Sequence, residues 1–378
     1  MRMMKLLAGA LLALIVATPA HAYNYRTCNT SAGSKPLKLP SNSWQLKSSD
    51  VSFPAGFWQD GLNNAISQFN KNPSNFFYTR VSDTNGLNLN NGESEVWGST
   101  DQAILQGAPA IAYSWWNCFS FLGIVFADMK EGDVIFDYTS TATNPFEWTP
   151  TRQKNLLFSY SGSGRLLQGT AIHEFGHAAG LLHVNTEYNV MGTDFTHLST
   201  NGITANGYIG EDTGDGLTFL YGGWASAPQD LGVVHWRYTG ASGEYSTHGR
   251  TRMFNPSTGA ELPKSTVSGE PRYQAGLGRS ISAEFTFENN GRSTQTGIVV
   301  SYYISTNDTI TTGDVLIGSS VFTLSRNDVL TTRRTLIIPS NLIVNTNYWM
   351  GAIINPTGAI AESDRSNNAT YIGMRVVP

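Results

Sequence analysis

The sequence predicts two folded parts, an α+β domain followed by an all-β sandwich. Apolar residues recur at three- and four-residue steps over 58–69 and again over 166–179, which is the period of an amphipathic helix. After Gly222-Gly223 this period stops, and apolar and polar residues alternate between Asn-Gly, Thr-Gly and Pro turns, as is typical of strands. A chain of 378 residues is long enough for two domains of about 150 residues each.

The first 22 residues have the order of a secretory signal peptide. A basic start over 1–5 is followed by an apolar run over 6–18 and by Pro-Ala-His-Ala, which ends at Ala22. We expect cleavage after Ala22 and secretion from a bacterial cell. Because the run is shorter than the roughly 20 residues of a membrane-spanning helix, we expect no membrane insertion of the mature chain; an uncleaved anchor is the alternative.

The charge balance excludes one class of partner. The net charge is -4 and only 14% of the residues are charged, whereas proteins that bind nucleic acid or anionic membranes carry a basic patch. We therefore expect no nucleic-acid partner.

Several elements can be assigned in order along the chain. Short apolar runs at 111–116, 121–126 and 134–136 predict strands between the two helices. In the sandwich, Asp230–Val234 reads as the first strand, which puts the domain boundary near residue 226. The predicted units are a signal peptide at 1–22, a first domain at 23–225 and a β-sandwich at 226–378.

The second predicted helix carries a candidate metal site. His173 and His177 are four residues apart, so both imidazoles project from one face of the helix within reach of one ion. Gly180 can adopt a positive φ, end the helix and turn the chain so that His183 returns as a third ligand. Three protein ligands leave one zinc position open, which is the pattern of catalytic zinc sites.

Glu174 follows the first histidine directly and is the candidate general base. Its carboxylate would take a proton from a zinc-activated water and pass it to the leaving amine of a cleaved peptide. The alternative is a helix whose histidines are ordinary surface residues, which the length of the pattern disfavours.

The pattern His-Glu-x-x-His-x-x-Gly-x-x-His over 173–183, followed by Asn189-Val190-Met191-Gly192, resembles the metzincin zinc peptidases. The resemblance implies an α+β metzincin-type catalytic domain with a twisted mixed sheet and long helices. It also implies one catalytic zinc ion, with Met191 as a structural floor beneath the metal rather than a ligand.

Within that family the chain is similar to the matrixins. Residues 132–137, Glu147-Trp148-Thr149 and 215–222 are similar to matrixin segments, and the likeness spans about 44–223. It implies that Ala110–Trp115 is an edge strand that pairs with an extended peptide substrate. Ile135 stands where matrixins have a histidine of a second zinc site, so we expect none. Calcium is possible through three carboxylates, Asp133, Asp137 and Glu147.

Two cysteines are present, Cys28 and Cys118. In an exported chain an even number of cysteines usually pairs, so we predict a Cys28–Cys118 disulfide. The alternative is that the Cys28 thiolate occupies the open zinc position until it is removed or oxidised.

The C-terminal part resembles the immunoglobulin-like CARDB modules of exported bacterial proteins. The likeness depends on three segments, at 285–291, 300–305 and 362–368. Such a module implies either binding to a surface or substrate, or a spacer role.

Together these features predict a secreted zinc-dependent endopeptidase that hydrolyses peptide bonds of extracellular proteins. The alternative is a secreted adhesion or binding protein that uses the metzincin fold mainly as a scaffold. His197 is interpreted as an exposed loop histidine, with contact to substrate or a role as a polar stabiliser as the alternatives.

Overall fold

The structure is a computed structural model that describes residues 23–49, 56–83, 88–138, 147–149, 164–185, 189–193, 197–227, 229–234, 251–268 and 270–378. The signal peptide predicted at 1–22 lies outside these residues. None of the helices within the described ranges is long and apolar enough to cross a bilayer.

The N-terminal part contains four helices and thirteen strands among the described residues. The helices are α1 (Phe57–Phe69), α2 (Gln102–Leu105), α3 (Leu167–Ala178) and α4 (Gly210–Tyr221). The strands are β1 (Asn24–Tyr25), β2 (Thr27–Thr30), β3 (Gly33–Pro36), β4 (Ser43–Ser49), β5 (Phe77–Asp83), β6 (Glu95–Ser99), β7 (Ala110–Phe121), β8 (Ile124–Asp137), β9 (Glu147–Thr149), β10 (Gly164–Leu166), β11 (Leu181–Leu182), β12 (Leu198–Asn201) and β13 (Thr204–Gly207).

A five-stranded mixed sheet organises this part, in the order β5-β4-β6-β8-β7. All its neighbours are parallel except β7, which is antiparallel to β8 and forms one edge. Side chains alternate across β8: Val134 and Phe136 join the core that contains α1 and α3, whereas Ile135 packs with Trp97 and Leu105 on the other face. This alternation is the two-residue period of a strand.

Two of the predicted strands, at 111–116 and 134–136, lie inside β7 and β8. The separate strand predicted at 121–126 is wrong, because β7 continues to Phe121 and the chain then reverses through Leu122-Gly123 into β8. Both turn residues have positive φ, 50° and 79°, which is the backbone of a tight two-residue hairpin. Residues 121–126 are therefore the tip of a long β7–β8 hairpin and not a separate strand.

The C-terminal part contains only strands among its described residues. They are β14 (Leu231–Val233), β15 (Arg252–Phe254), β16 (Lys264–Val267), β17 (Glu270–Gly276), β18 (Ser280–Asn289), β19 (Gln295–Ser305), β20 (Val315–Leu324), β21 (Val329–Ile337), β22 (Asn347–Ile354) and β23 (Ala369–Val377).

These strands form two sheets that pack face to face. One has β18 between β21 on one edge and both β14 and β15 on the other; the second has the order β16-β17-β23-β22-β19-β20. Alternate side chains of both sheets, such as Phe285 and Phe287 from β18 and Val300 and Tyr302 from β19, share one buried core. The alternation seen in the sequence thus places every second residue between the sheets.

The two large cores are separate along the chain, one within 28–221 and the other within 231–376. The boundary predicted near residue 226 falls between them.

The expected α+β metzincin-type fold with long helices is wrong. Of the described residues, 49% lie in strands and 14% in four helices, the longest with 13 residues. The helices are short: Gly180, with φ 103°, follows α3 and Gly222, with φ 78°, follows α4, and each of these two helices has 12 residues. The described residues after 225 add only strands, so the described protein is mostly β.

The predicted disulfide is confirmed. Cys28 and Cys118 are bonded, with their Cα atoms 5.4 Å apart, and tie the β2–β3 hairpin to β7. Because its sulfur is bonded to Cys118, Cys28 is not the free thiolate that the alternative reading requires.

Candidate metal centre and its pocket

Three histidines converge on one point beside α3. The Nε2 atom of His173 lies 3.1 Å from that of His177 and 3.1 Å from that of His183. His173 and His177 are one turn apart on α3, and His183 follows β11. The structure therefore brings together the three residues that the spacing in the sequence selected.

Hydrogen bonds fix how two of these imidazoles present their nitrogens. The Nδ1 atom of His173 lies 2.6 Å from the Val190 carbonyl oxygen, and that of His177 lies 2.9 Å from the Leu181 carbonyl oxygen. A carbonyl can only accept, so both Nδ1 atoms carry the proton and donate. Each Nε2 then presents its lone pair toward the common point, as in metal-bound histidines.

The three imidazoles are electrically neutral at neutral pH. Burial lowers the pKa of His173 well below its usual range and lowers the pKa of His177 to about 4; burial also lowers the pKa of His183. Metal ions bind the neutral form of imidazole. Tautomer, charge state and spacing all fit a zinc ion held by His173, His177 and His183.

Gly180 makes the return of His183 possible. Its φ is 103°, a conformation that side chains disfavour, and a Cβ there would lie 2.7 Å from the Leu37 carbonyl oxygen. After this turn β11 pairs with β1, and His183 follows directly.

The segment 189–193 supports the centre from below. Met191 is buried and its sulfur lies against Gly176 of α3, where a Cβ would collide with it. The backbone N–H of Val184 donates to the Met191 carbonyl oxygen at 3.1 Å. The segment therefore holds the Val190 carbonyl beneath His173.

Glu174 is buried beside the histidines. Burial raises the pKa of its carboxyl to about 8, although a hydrogen bond from the Ala112 backbone acts in the opposite direction. With a pKa near neutrality, a carboxyl can both accept and return a proton.

Glu174 and the three histidines line a cavity of about 440 Å³. The other lining residues come from the start of edge strand β7 and from three further positions: Ala108, Pro109, Ala110, Ile111, Ala112, Arg26, Leu182 and Thr193. Arg26 was missed by reasoning from the sequence, and no local pattern marks it. It reaches the cavity because β1 pairs with β11, more than 150 residues away.

Of the three carboxylates proposed for calcium, the structure describes the side chains of Asp133 and Asp137. Asp133 is buried and accepts from the Glu95 backbone, whereas Asp137 accepts from the Gln102 amide; the Glu147 side chain lies outside the described residues. Neither of the two potential metal-binding groups in the described structure includes them. Burial, and then the charge of Glu131, raise the pKa of Asp133 to about 9.

His197 is not exposed and does not line the cavity, so the interpretation as an exposed loop histidine is wrong. It is fully buried, and its Nε2 lies 2.6 Å from Glu288 Oε1 and 4.0 Å from Glu211 Oε2. The Tyr208 hydroxyl donates to the other Glu288 oxygen at 2.9 Å. Glu288 belongs to β18, so this group, the His197 cluster, joins the N-terminal part to the sandwich.

No protein-family profile matches this sequence, and no curated protein matches it either. Similar solved structures include the CARDB domain of the PF1109 protein from Pyrococcus furiosus in complex with di-metal ions, 16% identical over 28% of this chain and 79% of that one, with a TM-score of 0.23. A domain of a putative cell surface protein from Methanosarcina acetivorans is 19% identical over 27% of this chain and 78% of that one, with a TM-score of 0.20.

CARDB domains are therefore among the structural neighbours, and none of these comparisons indicates a metzincin peptidase. Likenesses of this size carry no argument about function.

Proposed function

We propose that this protein is a secreted zinc-dependent endopeptidase acting on extracellular proteins. The observation that carries the proposal is the meeting of three neutral imidazoles at one point, with a buried carboxyl in the same cavity. The resemblance of residues 173–183 to the zinc site of metzincin peptidases supports the same chemistry.

His173, His177 and His183 would hold the ion. When bound, zinc supplies Lewis acidity, which polarises a carbonyl group and acidifies a water molecule. The carbonyls of Val190 and Leu181 keep the Nδ1 protons in place, so the imidazoles do not rotate away or change tautomer.

Glu174 is the residue that moves the proton. Its carboxylate accepts a proton from the attacking water and returns it to the amine that leaves as the peptide bond breaks. Because the side chain is buried and held by the Ala112 backbone, the carboxylate keeps one orientation toward the cavity.

A peptide substrate is favoured by the edge strand along the cavity. Residues 110–112 of β7 line it, and β7 is the last strand of its sheet. An unpaired strand edge can accept an extended peptide through backbone hydrogen bonds. Such binding depends on the backbone of the substrate and suits positions inside a longer chain.

The disulfide supports secretion, since disulfides persist in oxidising compartments outside the cytosol. For the sandwich we propose either a role in binding a surface or substrate, or a role as a spacer.

The test is cleavage of a mixed peptide library by the mature, zinc-loaded protein, with and without a chelator. Glu174→Ala with confirmed bound zinc is expected to lower kcat/KM by about 10²–10⁴-fold, the usual contribution of a general base. Glu93→Ala is the matched control, because the side chain of Glu93 is 43% exposed and pairs with Lys47 away from the cavity.

Cleavage that survives chelation, or that Glu174→Ala leaves intact, would exclude the proposed mechanism. A folded, zinc-loaded wild type that cleaves no peptide would instead favour the adhesion or binding protein.

A further inference from the structure

Arg26 is a positive charge in the cavity that no described residue neutralises. Its side chain is half-buried and lines the cavity together with His177 and His183. Its Nε is buried without a hydrogen-bond partner in the described structure. The guanidinium carbon lies 5.5 Å from the centre of the Trp116 ring, which is an aromatic contact and not an ion pair.

The backbone of Arg26 is held firmly in place. Its N–H donates to the Gly180 carbonyl oxygen at 2.9 Å, and its carbonyl accepts from Leu37 at 2.9 Å. Two residues later the chain is bonded to β7 through Cys28 and Cys118. The backbone of Arg26 therefore keeps a fixed distance from the turn that carries His183.

Three other arginines of the described structure pair with carboxylates, whereas Arg272 in the sandwich also has a buried Nε without a hydrogen-bond partner. Arg252 and Arg333 both bind Glu284, and Arg326 binds Asp215. Removing a guanidinium from water without a partner is unfavourable, and burial accordingly lowers the pKa of Arg26. The folded protein thus retains an uncompensated cation at the place where a substrate would enter.

We infer that Arg26 binds a carboxylate of the substrate, so that the protein selects peptides with an acidic group near the cleaved bond. This inference rests on the proposed peptidase function and names its substrate class. The planar guanidinium matches a carboxylate through two parallel hydrogen bonds. Glu174 is the only other charged residue that lines the cavity among the described ones.

Two sources can supply this carboxylate: an Asp or Glu side chain, or the free carboxyl terminus of the peptide. Within edge strand β7, Ala112 lies beside Glu174 and Trp116 lies beside Arg26. The two positions are four residues apart. At about 3.3 Å per residue this is a distance of about 13 Å. The acidic group is therefore expected within a few residues of the cleaved bond.

The experiment uses decapeptides of one Ala/Gly/Leu sequence in which a single Glu is moved through the positions, each matched by a peptide with Gln. A second arm compares a free carboxyl terminus with an amide. Cleavage is measured with the zinc-loaded wild type. Affinity is measured separately with zinc-loaded Glu174→Gln, by the change in tryptophan fluorescence, because Trp115 and Trp116 lie on β7.

At one or two positions Glu is expected to be preferred over Gln by about 10–100-fold, the usual range for a charged hydrogen bond. Arg26→Gln should abolish this ratio in both assays, and Arg26→Lys should retain part of it because the charge remains. Lys35→Gln removes one charge from an exposed site on β3 and should leave the ratio unchanged. Preference only for the free carboxyl terminus would identify that group as the ligand.

An unchanged Glu/Gln ratio and an unchanged acid/amide ratio in Arg26→Gln would overturn the inference while leaving the proposed function intact. If the folded, zinc-loaded protein neither cleaves nor binds any of the peptides, the inference about Arg26 and the proposed peptidase function are both overturned.

Discussion

The three-histidine centre and the His197 cluster contain similar side chains but differ in how those side chains are satisfied. In the first, three Nε2 atoms face one another at 3.1 Å and the site opens onto a cavity. In the second, the Nε2 of His197 lies 2.6 Å from Glu288 and the whole group is buried between two parts of the protein.

The difference lies in which nitrogen remains for a metal. The Nδ1 atoms of His173 and His177 are hydrogen-bonded to backbone carbonyl oxygens, so their Nε2 atoms stay available to bind a metal ion. In His197 the Nε2 is already bound to a carboxylate. Two ligands of a tetrahedral zinc lie about 3.3 Å apart, given metal–ligand distances of about 2.0 Å. The 2.6 Å contact is a hydrogen bond. The His197 cluster is therefore a buried polar contact between the N-terminal part and the sandwich.

Zinc content gives the strongest contrast between the two groups. His177→Ala is expected to weaken zinc binding by more than about 100-fold, since even loss of a residue that only orients a ligand costs about 10–100-fold. His197→Ala should leave one zinc per chain. Metal analysis after dialysis against a weak chelator measures both. Equal zinc loss in the two variants would contradict the distinction.

The free energy of unfolding should decrease more in His197→Ala than in His177→Ala, which is the opposite of the order expected for zinc loss. His197→Ala leaves the Glu288 carboxylate buried without its imidazole partner, which is expected to lower the free energy of unfolding by about 3–5 kcal/mol. Tyr208→Phe removes one hydrogen bond to the same carboxylate and should cost about 1 kcal/mol. Denaturation of the metal-free proteins, followed by circular dichroism, compares them with His177→Ala.

If His197→Ala melts at the wild-type temperature, the His197 cluster does not join the two parts of the protein.

Asp133 is a third buried group, and it differs from the other two because its carboxyl holds a proton in the folded protein. The pKa of Asp133 is raised to about 9 by burial and by Glu131, so the folded state holds this proton more tightly than the unfolded state. The stabilisation is complete below about pH 4 and is lost as the pH rises toward 9, by at most about 1.4 kcal/mol per unit.

Asp133→Asn, which keeps a neutral side chain at every pH, should therefore flatten the decrease of melting temperature between pH 5 and 9. The variant is expected to match the wild type near pH 4 and to exceed it increasingly as the pH rises to 8. Parallel pH profiles of the two proteins would show that Asp133 is ionised in the fold.

Features encoded by local spacing could be predicted from the sequence. Histidines four residues apart, a glycine after the helix and an even number of cysteines each indicate a contact that the chain makes through short-range geometry or covalent chemistry. The helices at 57–69 and 167–178 and the first strand of the sandwich follow from period and apolar runs in the same way.

The tertiary structure alone decided how much of the chain is strand, that β7 and β8 form one hairpin, that Arg26 enters the cavity and that His197 is buried against Glu288. The last two of these features depend on residues that are 91 and more than 150 positions apart in the sequence. A local pattern specifies which face of an element is apolar, but not which distant surface covers it. The sequence thus indicated the three histidines that meet at one point, whereas packing decided which charged residues share their cavity and which lie buried between the N-terminal part and the sandwich.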